Sequence, residues 1–449
     1  MKGRHLFLVL LILLFGSPAY ADFQAGLNAY SRGDYATALK ELKPIAEKGN
    51  SNAQFILAVM YSEGQGIPKN FRKLHEWSDR AAEEKNANKQ FIYDLGVMYH
   101  EGTSVTQDYT AAIRWYEMAG KKGHKDAQNN LGVMYRDGQG VPVDYKKAVS
   151  WLARAAGRGH ASAQYNLGLL YHEGQGGPQN YKKALKWYKR AANKGHTDAQ
   201  YNLGRMYAKG LGVTQDYKAA IKWFKLAAEQ GYTDALYSLG VMHAKGRGVT
   251  QDDKAAIKWF KLAAEQGYAA AQYNLGQMYR KGRGVTQDDN TAVEWYKLAA
   301  NQGYTDAQYN LGVMYEEGLG VTQDYQAAIK WYKLAVEQGD ARSQNNLGMM
   351  YLNGKGATHD YKAAFTWFKL AAEQGHVTAM NNLGFMYANG KGVTQDYIRA
   401  NMWWTIAASK GSKDAEEGHM AVQKLMTPAQ TAEAWNLAHE CVTKNYLNC

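Results

Sequence analysis

The sequence predicts an all-α chain, a right-handed α–α superhelix (solenoid), and three observations carry that expectation. A 36-residue period runs through most of the 449 residues. Each period divides into two stretches with apolar residues at helical spacing, and glycines stand where each stretch ends. A chain built this way closes no separate core in each domain, so length alone does not count its domains.

Two residue series fix the period. Gly96, Gly132, Gly168, Gly204, Gly240, Gly276, Gly312, Gly348 and Gly384 are each 36 residues apart, and Trp115, Trp151, Trp187, Trp223, Trp259, Trp295, Trp331, Trp367 and Trp403 keep the same step. Trp77 precedes Trp115 by 38 residues, so two extra residues enter the connection "EEKNANKQ" between the first two units. Ten units cover residues 53–412.

One unit shows how each part arises. In "DAQYNLGVMYEEG" (306–318), Ala307, Leu311, Met314 and Tyr315 lie on one helical face. Gly318 and Gly320 end that helix, because glycine takes left-handed backbone angles without penalty. Asp324 caps the second helix, its carboxylate accepting from free backbone N–H groups. Ala328, Trp331 and Ala335 are expected to form the second buried stripe, and Gly339 to stop it. Glycines beside acids could instead cradle a phosphate, but a dinucleotide site needs a preceding strand and none is predicted. Gly312, inside a helix, points to a close crossing by the tryptophan-bearing helix.

The ends read differently. Lys2 and Arg4, the apolar run Leu6–Phe15 and the pattern Ala19-Tyr20-Ala21 predict a secretory signal peptide over residues 1–21, cut after Ala21. The run is too short for a permanent membrane span, and no second run of spanning length follows. Residues 22–52 lack the long loop and are expected to cap the N-terminal end. Residues 413–449 are expected to cap the other end with helices, one starting at Thr427 and Pro428. Cys441 and Cys449 are the only cysteines and are expected to pair in an oxidising compartment, clasping the last helix.

The unit "A-x3-L-G-x2-Y-x2-G-x-G-V-x2-D-x3-A-x2-W-x3-A-A-x2-G" resembles the Sel1-like repeat, a longer relative of the tetratricopeptide repeat. Ala307, Leu311, Gly312, Tyr315, Gly318, Gly320, Val321, Asp324, Ala328, Trp331, Ala335 and Gly339 carry the resemblance in one unit. It implies an adaptor that gathers protein partners, in bacteria often an envelope protein. A cysteine-rich bacterial branch is linked to penicillin binding or hydrolysis, but this chain lacks that branch's cysteine in every repeat.

No catalytic constellation emerges. S-x-x-K, G-x-S-x-G, H-E-x-x-H and Walker patterns are missing from the sequence. His124, His160, His196 and His376 share one register, but neighbouring helices stand about 8–10 Å apart and metal ligands must converge within about 2 Å of the ion. No cofactor or metal is therefore expected. The net charge of +12 comes from basic residues scattered among acids, without an arginine-rich block, so nucleic acid is not an expected partner.

A binding surface is the remaining expectation. Tyr165, Tyr201, Tyr237, Tyr273 and Tyr309 are read as pointing away from the core, beside the row Val97, Val133, Leu169, Arg205, Val241, Gln277, Val313, Met349 and Phe385. The tyrosines either meet a partner or stack between repeats. A neighbouring row places Lys209, Lys245 and Lys281 between acidic groups (Glu101, Asp137 and Glu173, then Glu317), which suits an extended or acidic protein segment. Asn130, Asn166, Asn202, Asn274, Asn310, Asn346 and Asn382 either tie one unit's loop to the next or hold a peptide backbone. The resulting expectation is a non-enzymatic exported adaptor, periplasmic or secreted. The alternatives are a β-lactam or cell-wall hydrolase and an envelope-glycan binder.

Overall fold

The computed structural model describes residues 18–84, 87–103, 105–447 and 449. The charged start and apolar run of the expected signal peptide lie outside them, as does part of the two-residue insertion. Twenty-four α-helices and no strand occur among the described residues. With no strand ahead of the glycine bends, a dinucleotide-binding loop has no scaffold here.

The chain forms two compact units, residues 1–227 and 228–449. The first begins with α1 (Pro18–Ser31) and α2 (Tyr35–Glu47). Four helix pairs follow: α3 and α4 (Ser51–Glu63, Phe71–Glu83), α5 and α6 (Lys89–Glu101, Tyr109–Lys121), α7 and α8 (Lys125–Asp137, Tyr145–Gly157), α9 and α10 (Ala161–Glu173, Tyr181–Ala192). Then come α11 (Thr197–Lys209) and α12 (Tyr217–Glu229), within which the unit boundary falls. The second unit holds α13 and α14 (Thr233–Lys245, Asp253–Glu265), α15 and α16 (Ala269–Lys281, Asp289–Asn301), α17 and α18 (Thr305–Glu317, Tyr325–Glu337). It continues through α19 and α20 (Ala341–Asn353, Tyr361–Glu373), α21 and α22 (Val377–Asn389, Tyr397–Ser409), α23 (Lys413–Gln423) and α24 (Pro428–Thr443). Inside each unit a helix packs on its pair partner and on the first helix of the next pair.

The loop within a pair is sewn by its own residues. Gly318 ends α17 at φ +73° and its N–H reaches Met314 O. The amide of Gln323 donates to Glu316 O at 2.8 Å, and Asp324 accepts from Gln326 N and Ala327 N at 2.9 and 3.0 Å. Orphan carbonyls of one helix and orphan N–H groups of the next are thus satisfied by residues of the one loop between them. Gly320 does more than turn the chain: at φ +64°, it lies against the backbone of Asp289, in the preceding repeat, leaving no room for a Cβ. Gly356 sits on Tyr325 in the same way: a Cβ there would stand 2.8 Å from its carbonyl carbon.

The helix glycines mark close crossings, but the tryptophan is not what fills them. The residue after it is. A Cβ on Gly276 would stand 2.6 Å from the Tyr296 ring, and one on Gly348 would stand 2.5 Å from Phe368. Tyr116, Leu152, Tyr188, Phe224, Phe260, Tyr332 and Trp404 fill the same notch elsewhere. Tyr332 is fully buried, whereas Trp331 is half-buried against the core of the preceding repeat. Only Trp77, Trp115 and Trp403 of the described tryptophan series reach full burial. One residue along a helix is a rotation of about 100°, so the notch and the seam between repeats are served by adjacent side chains.

At the C-terminal end α23 and α24 pack on α22. Thr427 and Gln430 form a reciprocal capping box at the start of α24, with Pro428 at its first position. A disulfide joins Cys441, buried on α24, to Cys449. Among the described residues, no helix is long and apolar enough to cross a membrane.

Candidate partner-binding surface

The expected surface lies on the first helix of each pair. Its tyrosines are wedges and not free contact groups, which corrects the expectation that they point away from the core. Tyr309 is half-buried, its ring centroid 6.2 Å from that of Tyr332, with the Arg342 guanidinium 4.4 Å from its own centroid. Arg342 is held in turn by Asp306 and Asp340, each at 2.6 Å. Tyr273 lies between Tyr296 and Tyr304, at 5.9 and 5.1 Å, and its hydroxyl accepts from Gln277 at 3.0 Å. Tyr237 lies 5.7 Å from Phe260 and 5.0 Å from Tyr268. Tyr165 meets Tyr188 at 5.8 Å and stacks on His196 at 4.7 Å, and Tyr201 meets Phe224 at 5.7 Å.

Burial pushes the phenols of Tyr165, Tyr273 and Tyr309 above the ordinary tyrosine range, so they stay neutral. Their geometry is the stacking alternative: where both repeats are described in one unit, the tyrosine bridges its own second helix and the residue opening the next repeat. The periodicity of one helix does not contain that outcome, because it depends on how the following repeat is rotated over the first.

The row beside them is exposed at two positions and half-buried at the rest, with Val313 and Met349 packed in part against the core. Val313, Val241, Gln277 and Met349 are part-exposed, Arg205 is exposed and Phe385 is 38% exposed. Lys209, Lys245 and Lys281 are all exposed in the last turns of α11, α13 and α15. A cation there also complements the helix dipole. Glu101, Glu173 and Glu317 occupy the same turn in other repeats, where that dipole disfavours them, and they too are exposed. Lys209 belongs to the first unit, Lys245 and Lys281 to the second.

The asparagines bond between helices, first helix to first helix at Asn166 and Asn382 and first helix to second helix at Asn346, and not loop to loop. Asn166 donates to Asn129 at 3.3 Å and accepts from Arg136 at 3.1 Å. Asn382 donates to Asn345 at 3.0 Å, and Asn346 donates to the Tyr332 hydroxyl at 3.0 Å. That hydroxyl donates to Glu316 at 2.8 Å, so a polar ladder underlies the partly exposed row.

Two sets of structural residues escape a reading of apolar stripes. Buried glutamines donate to the last carbonyls of the preceding second helix: Gln128 to Gly120 O at 2.8 Å, Gln164 to Ala156 O at 3.0 Å, Gln308 to Ala300 O at 3.2 Å. Their recurrence in the A-Q-x-N-L-G string was the available signal. Three of the four histidines in the row cap helices through their side chains, and His196 stands at the same N-terminal position without that bond. Nδ1 of His124, His160 and His376 accepts from Ala127 N, Ala163 N and Ala379 N, while His124 and His160 turn Nε2 to Gln90 and Asp126 of the preceding repeat. No group of three or more metal-ligating side chains occurs among the described residues.

The Sel1 repeat profile matches ten consecutive segments, residues 51–86, 90–124, 125–160, 161–196, 197–232, 233–268, 269–304, 305–340, 341–376 and 377–412. The chain belongs to the Sel1-repeat family. This Sel1-repeat chain is similar in structure to c5321, a protective antigen of uropathogenic Escherichia coli strains that displays an SLR fold (32% identity, TM-score 0.77, 95% of this chain and 93% of that one). It also resembles a Sel1 repeat protein from Oxalobacter formigenes, at 32% identity and a TM-score of 0.59, over 77% of this chain and 99% of that one. No protein of curated function matches the sequence. Sel1-repeat solenoids are generally non-catalytic scaffolds for protein interaction, and the fold here is consistent with that role.

Proposed function

We propose that this Sel1-repeat protein is an exported, non-enzymatic adaptor that holds other proteins on the first-helix face of its repeats. One observation carries the reading. The positions that build the repeat recur from unit to unit, while the partly exposed row above them changes freely: Val133, Leu169 and Arg205 in the first unit, Gln277, Met349 and Phe385 in the second. A surface that varies over a fixed frame is a means of choosing partners. Within the second unit, Lys245 and Lys281 border that row and favour a segment carrying carboxylates, with Lys209 supplying the same charge in the first. The tyrosines contribute the edges their stacking leaves accessible. The N-terminal signal pattern and the Cys441–Cys449 bond favour an oxidising compartment, the periplasm or beyond. The antigen role of c5321 is in keeping with a location where a host meets the protein.

A photoreactive side chain at Met349 or Phe385, placed in living cells, is expected to trap one protein in common, and the same probe at exposed Lys330 on α18 is not. Combined K209E, K245E and K281E should weaken that capture while helicity is retained. Equal trapping from Lys330 would refute the face assignment. A mature N-terminus other than Asp22 would refute the export step as drawn.

A further inference from the structure

We propose that the outer faces of α8 and α10, in the first unit, form a docking surface for an anionic phospholipid membrane. α10 carries Lys182, Lys183, Lys186, Lys189 and Arg190 and no acidic residue, and all five are exposed. α8 carries Lys146, Lys147 and Arg154, again exposed and again without an acid. Second helices elsewhere are mixed: α4 holds Glu76 and Asp79, α16 holds Glu294, α18 and α20 end on Glu337 and Glu373. Even the cap of α10 is uncharged, since Asn180 stands where α8 has Asp144. Dense charge of one sign is therefore confined to one place, since α22, which also lacks an acid, carries only Arg399.

The two helices lie side by side. Gly176, in the loop leading to α10, rests on the backbone of Tyr145 at the start of α8, so closely that a Cβ there would stand 2.7 Å from its carbonyl oxygen. Past their other ends Lys194 donates to Gly159 O at 2.7 Å. Lys182, Lys186 and Lys189 follow one face of α10 over about 10 Å, and α8 adds a second line beside it. The result is a grid in two dimensions, which a lipid sheet can meet and a single polymer strand cannot cover. Arg154 and Arg190 sit over Trp151 and Trp187, each 4.7 Å from the ring centroid, so both guanidinium groups are engaged on half-buried indoles. Among the described residues Lys182, Lys186 and Lys189 have no side-chain partner. Free lysines are point charges that respond to charge density and not to the shape of one anion. Amphipathic aromatics beneath cations suit the headgroup level of a bilayer. Among the described residues, the acid that pairs with a lysine of the grid is Asp144, 3.8 Å from Lys147.

Cosedimentation of the full mature chain with phosphatidylglycerol–phosphatidylcholine vesicles tests this. Binding is expected only when phosphatidylglycerol is present, weakening steeply as salt rises. Combined K182E, K186E and K189E should lower partition by about a hundredfold or more with unchanged circular dichroism. The same charge change at exposed Lys330, Lys333 and Lys362 in the second unit should leave most of it. Equal loss from that control variant, or equal binding to pure phosphatidylcholine, would overturn the proposal. So would duplex DNA or polyglutamate outcompeting the vesicles at equal anion concentration, which would assign the face to a polymer.

Discussion

The ring of Tyr332 occupies the space a side chain on Gly312 would need. First and second helix of one repeat therefore approach as closely as backbone and ring permit, and the same notch recurs along the chain. Gly312→Ala is expected to destabilise the protein although alanine favours helices, by roughly 1–3 kcal/mol for overpacking. Tyr332→Ala should cost about 3–5 kcal/mol and Trp331→Ala distinctly less. Urea denaturation of the three variants checks the order, and a larger loss from Trp331→Ala would refute it.

Gly320 and Gly339 separate two reasons for a glycine. Both have positive φ, but only Gly320 abuts another backbone, while Gly339 has nothing within 4 Å of a built Cβ. Gly339→Ala should cost about 1–2 kcal/mol for the left-handed conformation alone, and Gly320→Ala more, because the Asp289 backbone must yield. Equal melting temperatures for the two variants would contradict the seam contact.

Gln308 ties a first helix to the second helix before it, accepting from Gln338 at 2.8 Å while donating to Ala300 O. Gln308→Leu keeps the volume and strands a buried carbonyl, at about 1–3 kcal/mol. Hydrogen exchange should quicken at the end of α16 and not at the end of α20.

Asp94 is pushed up to about 6 by burial, partly offset by the amide of Gln90 at 2.9 Å. Its folded-state pKa lies above the unfolded one, so its favourable contribution is complete below about pH 4 and is lost as pH rises through 6. Asp94→Asn should then stabilise the protein by about 1–3 kcal/mol near pH 8 and by little near pH 4. A pH-independent difference would show that Asp94 is not the titrating group.

His124 behaves in the opposite sense. Its Nδ1 must be unprotonated to accept from Ala127 N, and burial, against Asp126, holds its pKa below the usual histidine value. The cap is present above about pH 6.5 and is lost as pH falls through the depressed folded value. His124→Asn keeps a capping oxygen and removes the titration, so it should flatten the acid limb of a stability–pH curve. His376, also depressed by burial, caps Ala379 N in the second unit and should respond alike.

The joinery was legible wherever identity and role repeat together, as in Gly318, Asp324 and the helix glycines. It was not legible where role repeats and identity does not. The notch takes tyrosine, leucine, phenylalanine or tryptophan, so the invariant neighbour, Trp331, drew the assignment instead. Gln308 was passed over because a polar residue beside an apolar stripe reads as surface until its carbonyl partner is in view. Tyr309 was placed outward because the rotation between successive repeats is a tertiary quantity. The row from Val97 to Phe385 is outward only in part: Arg205 and Phe385 are exposed, while Val97, Val313 and Met349 pack partly against the core.

The resting of Gly320 on Asp289 has a bearing on how such a chain changes length. Where each junction uses the same parts in the same order, an interior module can be duplicated or excised whole, and the two flanking modules meet as the old neighbours did. Growth in steps of a full module leaves the frame intact, whereas losing a few residues inside one would misalign a glycine with the backbone it must touch.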